Sequence, residues 1–238
     1  MSLKDKKVVI IGGSSGIGLA SAKAAAAAGA YVLIAGRSQE KLHKALAEIE
    51  GEAEASSLDV TREAEVEEFF ARIGGIDHLV TTAASGAVGP FLDMESTVVQ
   101  GVFAGKFWGQ YYAARYAAPC IKAGGSITMF AGVASRKPLP GLVAYAAVNG
   151  AVEGLCRTLA VELAPIRVNC VSPGIVMTPA YAAMPETERQ ALFDAVAGKL
   201  PVRRVGRPED IAQTVLYLMQ NGYTTGTVVS VDGGHQLV

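Results

Sequence analysis

The run Ile11-Gly12-Gly13-Ser14-Ser15-Gly16-Ile17-Gly18 stands between a β-branched stretch, Val8-Val9-Ile10-Ile11, and an Ala-rich stretch that closes at Gly29. A strand that turns directly into a helix through glycines constrains the chain strongly. Glycines at 12, 16 and 18 let the backbone turn tightly and approach a pyrophosphate without Cβ interference. The helix N-terminus then offers free N–H groups and a partial positive charge. A glycine-rich turn of purely structural purpose is the competing explanation, and its position in the first strand–helix unit of the chain argues against it.

The rest of the chain continues that alternation. Bunched Val/Ile/Leu/Thr runs predict strands over 7–11, 31–35, 53–58, 78–82, 126–131, 166–171 and 227–231. Helical patterns fall between them, over 16–28, 38–50, 62–72, 95–118, 143–164 and 208–220, with a shorter one at 186–198. Strands without strict apolar/polar alternation are buried on both faces, which points to a parallel sheet. The reading is one α/β domain over 1–238, a Rossmann-type doubly wound seven-stranded parallel sheet flanked by helices. Segment 173–207, a long connection without strand character, holds Pro173, Pro179, Pro185 and Pro201. Its part 176–200, containing Met177, Tyr181, Met184, Leu192 and Phe193, reads as a lid over a largely apolar substrate.

Composition excludes several classes. Half the residues are apolar, 18% are charged and the net charge is −1, so no electrostatic footprint for nucleic acid or an anionic membrane exists. Neither a secretory signal nor an apolar run long enough to span a bilayer is read. The three cysteines, Cys120, Cys156 and Cys170, have neither disulfide-framework nor metal spacing and suit a reducing, cytoplasmic location. His43, His78 and His235 show no metal pattern, and no metal is expected.

The second predicted strand runs out at Gly36-Arg37-Ser38. An acidic residue there would bond the adenosine ribose and repel a 2′-phosphate. Arg37 does the opposite, since its guanidinium grips phosphate bidentately, and Ser38 adds a hydroxyl. NADP(H) is therefore expected in preference to NAD(H). Asp59-Val60 follows the third strand, where Asp59 is also placed to cap the next helix.

The Gly-x-x-x-Gly-x-Gly spacing resembles that of the short-chain dehydrogenase/reductase family. So do Gly75-Ile76-Asp77-His78-Leu79-Val80, Arg167-Val168-Asn169-Cys170-Val171-Ser172-Pro173-Gly174, Gly206-Arg207-Pro208-Glu209-Asp210 and Val231-Asp232-Gly233-Gly234. The resemblance implies a carbonyl–alcohol oxidoreductase acting on a small molecule and assembling as a homodimer or homotetramer. It places the cofactor on Gly12, Ser14, Ser15, Gly16, Ile17, Gly18, Arg37, Ser38, Asp59 and Val60. It adds Thr82, Ala83 and Ala84, and near the nicotinamide Tyr145, Asn149, Pro173, Gly174, Val176 and Thr178. Asp59 would contact the adenine.

The match breaks at the catalytic tetrad of Asn, Ser, Tyr and Lys. Tyr145 is the matching tyrosine, but Asn149 stands where the family has lysine, Gly132 where it has serine, and Lys106 where it has asparagine. Asparagine and lysine have exchanged places. A cation near a phenol favours phenolate, so Lys106 is expected to tune Tyr145 as the acid/base while Asn149 orients the nicotinamide ribose. The alternative for Lys106 is a stem that snorkels its charge to solvent. The missing hydroxyl at 132 removes a donor to the substrate carbonyl, for which Ser135 or Lys106 would substitute. Those losses also leave open a nucleotide-binding protein without turnover, or a reductase of C=C or C=N bonds.

Overall fold

The computed structural model describes residues 2–83 and 86–238. Its sheet comprises β1 (Lys7–Ile11), β2 (Tyr31–Gly36), β3 (Ala53–Ser57), β4 (Ile76–Thr81), β5 (Ile121–Phe130), β6 (Arg167–Pro173) and β7 (Val228–Val231). The spatial order is β3-β2-β1-β4-β5-β6-β7, with every neighbouring pair parallel. Parallel neighbours need long crossovers, and helices supply them: α1 (Gly16–Ala27), α2 (Gln39–Leu46), α3 (Glu63–Ile73), α4 (Ser96–Phe103), α5 (Gly109–Ala117), α6 (Val143–Glu162), α7 (Glu186–Lys199) and α8 (Pro208–Gln220).

The β1 side chains explain the layering. Val8 and Ile10 enter one core with Ala22 and Ala25 of α1, Leu42 of α2, and Ile211 and Val215 of α8. Val9 and Ile11 enter the other, with Phe69 and Phe70 of α3, Ala113 and Ala117 of α5, and Val152 and Cys156 of α6. Two apolar faces require an unbroken apolar strand, which is why β1 shows no alternation. The chain reverses direction across the sheet between β1 and β4. The carboxyl ends of those two strands open a crevice of the kind that receives ligands in such sheets.

Three predicted boundaries move. The helix expected over 38–50 ends at Leu46 and continues as tight turns, with Glu48 N–H on Ala45 O at 3.0 Å and Ile49 N–H on Leu46 O at 3.2 Å. The strand expected at 126–131 already begins at Ile121. Gly124-Gly125 disguises it, because Gly125 passes so close to β4 that a Cβ would lie 2.3 Å from Asp77 O. The helix expected over 95–118 is α4 and α5 joined by a π-helical turn, Ala104–Trp108.

Candidate active site

The glycine loop is built by close approach. At Gly12, whose φ is +85°, a Cβ would stand 2.6 Å from both Ala83 N and Thr82 Oγ1, and at Gly18 one would stand 2.2 Å from Gly12 O. Thr82 fills the space left by the missing methyl groups and donates to Ile11 O at 3.0 Å. Its side chain therefore braces the loop instead of reaching into the crevice. The N-cap Ser15 makes no side-chain cap bond and α1 has no acidic residue in its first turn, so its N-terminal N–H groups are left for an anion. Thr178, at the start of the 176–200 segment, comes down on this loop, with its Cβ 3.3 Å from where a Gly16 Cβ would be. Ile17 packs against the α1-side core, and Ser14 lies beside Gly36.

At the far end of the crevice Arg37 is exposed at the end of β2. The Ser38 hydroxyl caps α2 by accepting from Lys41 N–H at 3.3 Å. Asp59 is not the cap of α3, a place taken by Arg62. Its carboxylate instead accepts from the Thr61 N–H at 3.0 Å and the Thr61 hydroxyl at 2.8 Å. Partial burial raises that carboxyl, but the Thr61 bonds, aided by Arg37 and Arg62, outweigh it and hold Asp59 below the usual range. Val60 is buried against Gly109, where a Cβ would be 2.8 Å away. Pro173 ends β6, Gly174 packs against Asp232, and buried Val176 bridges to Gly206. Ala84 lies outside the described residues.

Tyr145 and Asn149 stand one turn apart on α6, Tyr145 half-buried and Asn149 buried. The Asn149 amide donates from Nδ2 to Gly132 O at 3.2 Å, while its Oδ1 is buried without a partner. Lys106 does not snorkel: it is 6% exposed, its Nζ donates to Ala131 O at 2.9 Å and lies 5.9 Å from the centroid of the Tyr145 ring. Burial pulls its pKa down to about 8, with a slight opposing effect from Cys170. Burial also raises the Tyr145 phenol, so the shift runs opposite to the acidification expected of a neighbouring cation. The amine sits over the ring face, where its field favours the π cloud. Ser135 does not supply the missing hydroxyl, because its Oγ lies 2.6 Å from Glu153 Oε1 and 2.9 Å from Gly132 O.

Four further residues shape this site. Gln110 is buried and fully bonded: its amide donates to Lys106 O at 3.1 Å and Phe130 O at 3.0 Å, and its oxygen accepts from Thr81 Oγ1 and Phe130 N–H at 2.8 Å. It binds the Lys106 carbonyl inside the π turn, a kind of turn that recurs at functional sites. Glu153, one turn beyond Asn149, is bonded to Ser135 and paired with Arg136. Tyr181 packs edge-on against Phe193 with ring centroids 5.3 Å apart, and burial raises its phenol with help from the charge of Tyr145. Gly86 lies against the Tyr145 hydroxyl, where a Cβ would be 1.5 Å from it. A polar residue inside an apolar helix marked Gln110 in the sequence, and the apolar segment 176–200 marked Tyr181; nothing marked Glu153 or Gly86.

These features define a dinucleotide-holding crevice: a glycine cradle that side chains would fill, an uncapped helix end, and an orphaned buried acceptor at Asn149. The residues fit such a cofactor. A family model described as "Enoyl-(Acyl carrier protein) reductase" matches residues 12–236. The chain is 33% identical to a short-chain dehydrogenase/reductase, ATR9, of Stachybotrys chlorohalonatus, over 98% of each chain. It is 32% identical to carbonyl reductase family member 4 of Danio rerio, over 97% of this chain and 98% of that one. A solved small-chain dehydrogenase in complex with NADPH superposes with a TM-score of 0.86 at 38% identity, covering 99% of this chain and 100% of the other. The chain belongs to the short-chain dehydrogenase/reductase family of oxidoreductases.

Proposed function

We propose that this protein is an NADP(H)-dependent oxidoreductase interconverting a carbonyl and an alcohol on a small, largely apolar substrate, with Tyr145 as acid/base. The observation that carries the reading is the half-buried Tyr145 with the buried Lys106 amine over its ring. The dinucleotide, when bound, supplies the hydride. Tyr145 gives its proton to the substrate oxygen as that oxygen gains charge. A phenol raised by burial stays protonated at neutral pH, which favours reduction. Lys106 places a cation beneath the phenolate left behind, and Asn149 Oδ1 accepts from the nicotinamide ribose. Arg37 takes the 2′-phosphate, and the NADPH held by the 38%-identical relative supports that preference.

Segment 176–200 acts as the lid, with Met177 and Tyr181 toward the substrate. The exposed apolar side chains of Val88 and Phe91, in the stretch after β4, support an apolar substrate. Three free cysteines support a cytoplasmic location, and the exposed Trp108 of the π turn, ringed by the partly buried Phe107, Tyr111 and Tyr112, supports a homodimer or homotetramer.

The test is NADPH consumption over a panel of ketones, aldehydes and enones, with Tyr145→Phe alongside. We expect turnover of a ketone or aldehyde and a loss on the order of a hundredfold or more in Tyr145→Phe. A protein that binds NADPH and turns over nothing overturns the reading. The description of the matching family model favours one second reading, reduction of a C=C bond, and turnover of enones alone would establish it.

A further inference from the structure

We infer that the side-chain amide of Asn149 is itself catalytic, its free N–H donating to the substrate oxygen in the place where a side-chain hydroxyl at residue 132 would stand. The inference rests on Tyr145 acting as the acid. An oxygen receiving a proton from one side while charge develops on it is stabilised by a second donor fixed in advance. Among the described residues, the hydroxyl of Ser135 is turned to Glu153, Gly132 has no side chain, and the Lys106 amine sits over the ring face.

The Asn149 amide is placed differently. Its Nδ2 lies 3.0 Å from the point a Cβ on residue 132 would occupy. One of its two protons goes to Gly132 O; the other is uncommitted among the described residues. The orientation is forced, because turning the amide over would set its oxygen against the Gly132 carbonyl. That carbonyl lies 2.9 Å from Ser135 Oγ, which in turn lies 2.6 Å from Glu153 Oε1, so the acceptor that orients Asn149 is part of a packed, ion-paired framework. Oδ1 lies 3.7 Å from the same point, 2% of the residue is exposed, and no partner among the described residues satisfies that oxygen. A buried amide with one acceptor and one donor both free is arranged for ligand atoms.

This makes Gly132 and Asn149 one unit. A side chain at 132 would press on Nδ2 at 3.0 Å and push the amide from this place by a few tenths of an ångström. Steady-state kinetics with NADPH and the best ketone or aldehyde of the panel test the inference in four variants. Asn149→Asp keeps an acceptor but loses the N–H, and kcat should fall on the order of a hundredfold while NADPH still raises the melting temperature. Asn149→Ala should lose at least as much. Gly132→Ser alone should be slower than the unaltered protein, yet Gly132→Ser in the Asn149→Ala background should recover tenfold or more, because the hydroxyl then has room.

A second readout is independent of turnover. The Asn149 side-chain amide resonance, identified by its absence in Asn149→Asp, should shift when the ketone is added to the NADP⁺-loaded protein. Unchanged kcat in Asn149→Asp, no recovery in the double variant, or a static amide resonance each overturns the inference. An unaltered protein without any turnover instead overturns the assignment of Tyr145 as acid.

Discussion

Lys106 concentrates the physics of the site at the scale of a residue. Its amine is buried with one backbone carbonyl as partner, and desolvation drops its pKa from 10.5 to about 8. A base whose folded pKa lies below its unfolded one binds fewer protons when folded, so stability rises with pH between those two values. Below about pH 8 the full cost of the buried charge is present. The unaltered protein should therefore gain roughly 3 kcal/mol between pH 8 and pH 10.5 relative to Lys106→Met, as read by denaturant unfolding at several pH values. Equal pH profiles for the two would show that the amine is not desolvated. Gly86 gives a second prediction at this scale. A methyl group there would meet the Tyr145 hydroxyl at 1.5 Å, so Gly86→Ala must displace the phenol or the loop. We expect at least a tenfold drop in kcat with NADPH affinity retained, measured by turnover and by fluorescence titration; wild-type kcat would mean the contact opens freely.

Among the elements, the π turn between α4 and α5 matters most to the site. An α-helix running without interruption from 96 to 117 would keep every carbonyl within its own ladder. The wider turn at Ala104–Trp108 carries the Lys106 carbonyl, to which the Gln110 amide donates while the same side chain clasps Thr81 of β4 and Phe130 of β5. The helix is thereby fastened to the carboxyl ends of two strands at the depth of the crevice, and the Lys106 side chain is aimed beneath Tyr145. Gln110→Leu leaves several buried backbone groups unpaired, at about 1–3 kcal/mol each before relaxation. A melting temperature lowered by several degrees and a loss of turnover exceeding the loss of NADPH affinity are expected. Insensitivity of both would separate the clasp from the site. The sequence pattern correctly placed a long helix here, because its apolar period runs through all three pieces. It could not reveal the π turn or its clasp, since the Gln110 bonds beside that turn reach groups of β4 and β5 far away in the chain.

Across the whole molecule, the crevice is assembled from both halves of the chain: the glycine loop and β4 from the first, α6 and the segment after β6 from the second. Thr178 already lies against Gly16, so a ligand in the crevice ties the halves together. NADPH at a hundredfold excess over its Kd should add about 2.7 kcal/mol of stability, and it should slow proteolysis within 176–200. Arg37→Ala should erase most of any advantage of NADPH over NADH in the same thermal-shift titration; an equal response of the unaltered protein to both dinucleotides would remove the case for Arg37. Much of this architecture was legible from one-dimensional patterns. Apolar strand runs, helical periods and the glycine spacing are local consequences of backbone geometry and two-sided burial, and they determined the doubly wound sheet, the tight glycine turn after β1 and the helix that carries Tyr145. The chemistry around that tyrosine is decided by contacts between residues far apart in the chain. The Asn149 amide takes the space beside Gly132, Ser135 turns to Glu153, and the Lys106 amine stops at Ala131 O instead of at the phenolic oxygen. Which proton faces which acceptor depends on distances of a few tenths of an ångström, and only the packed tertiary structure sets those.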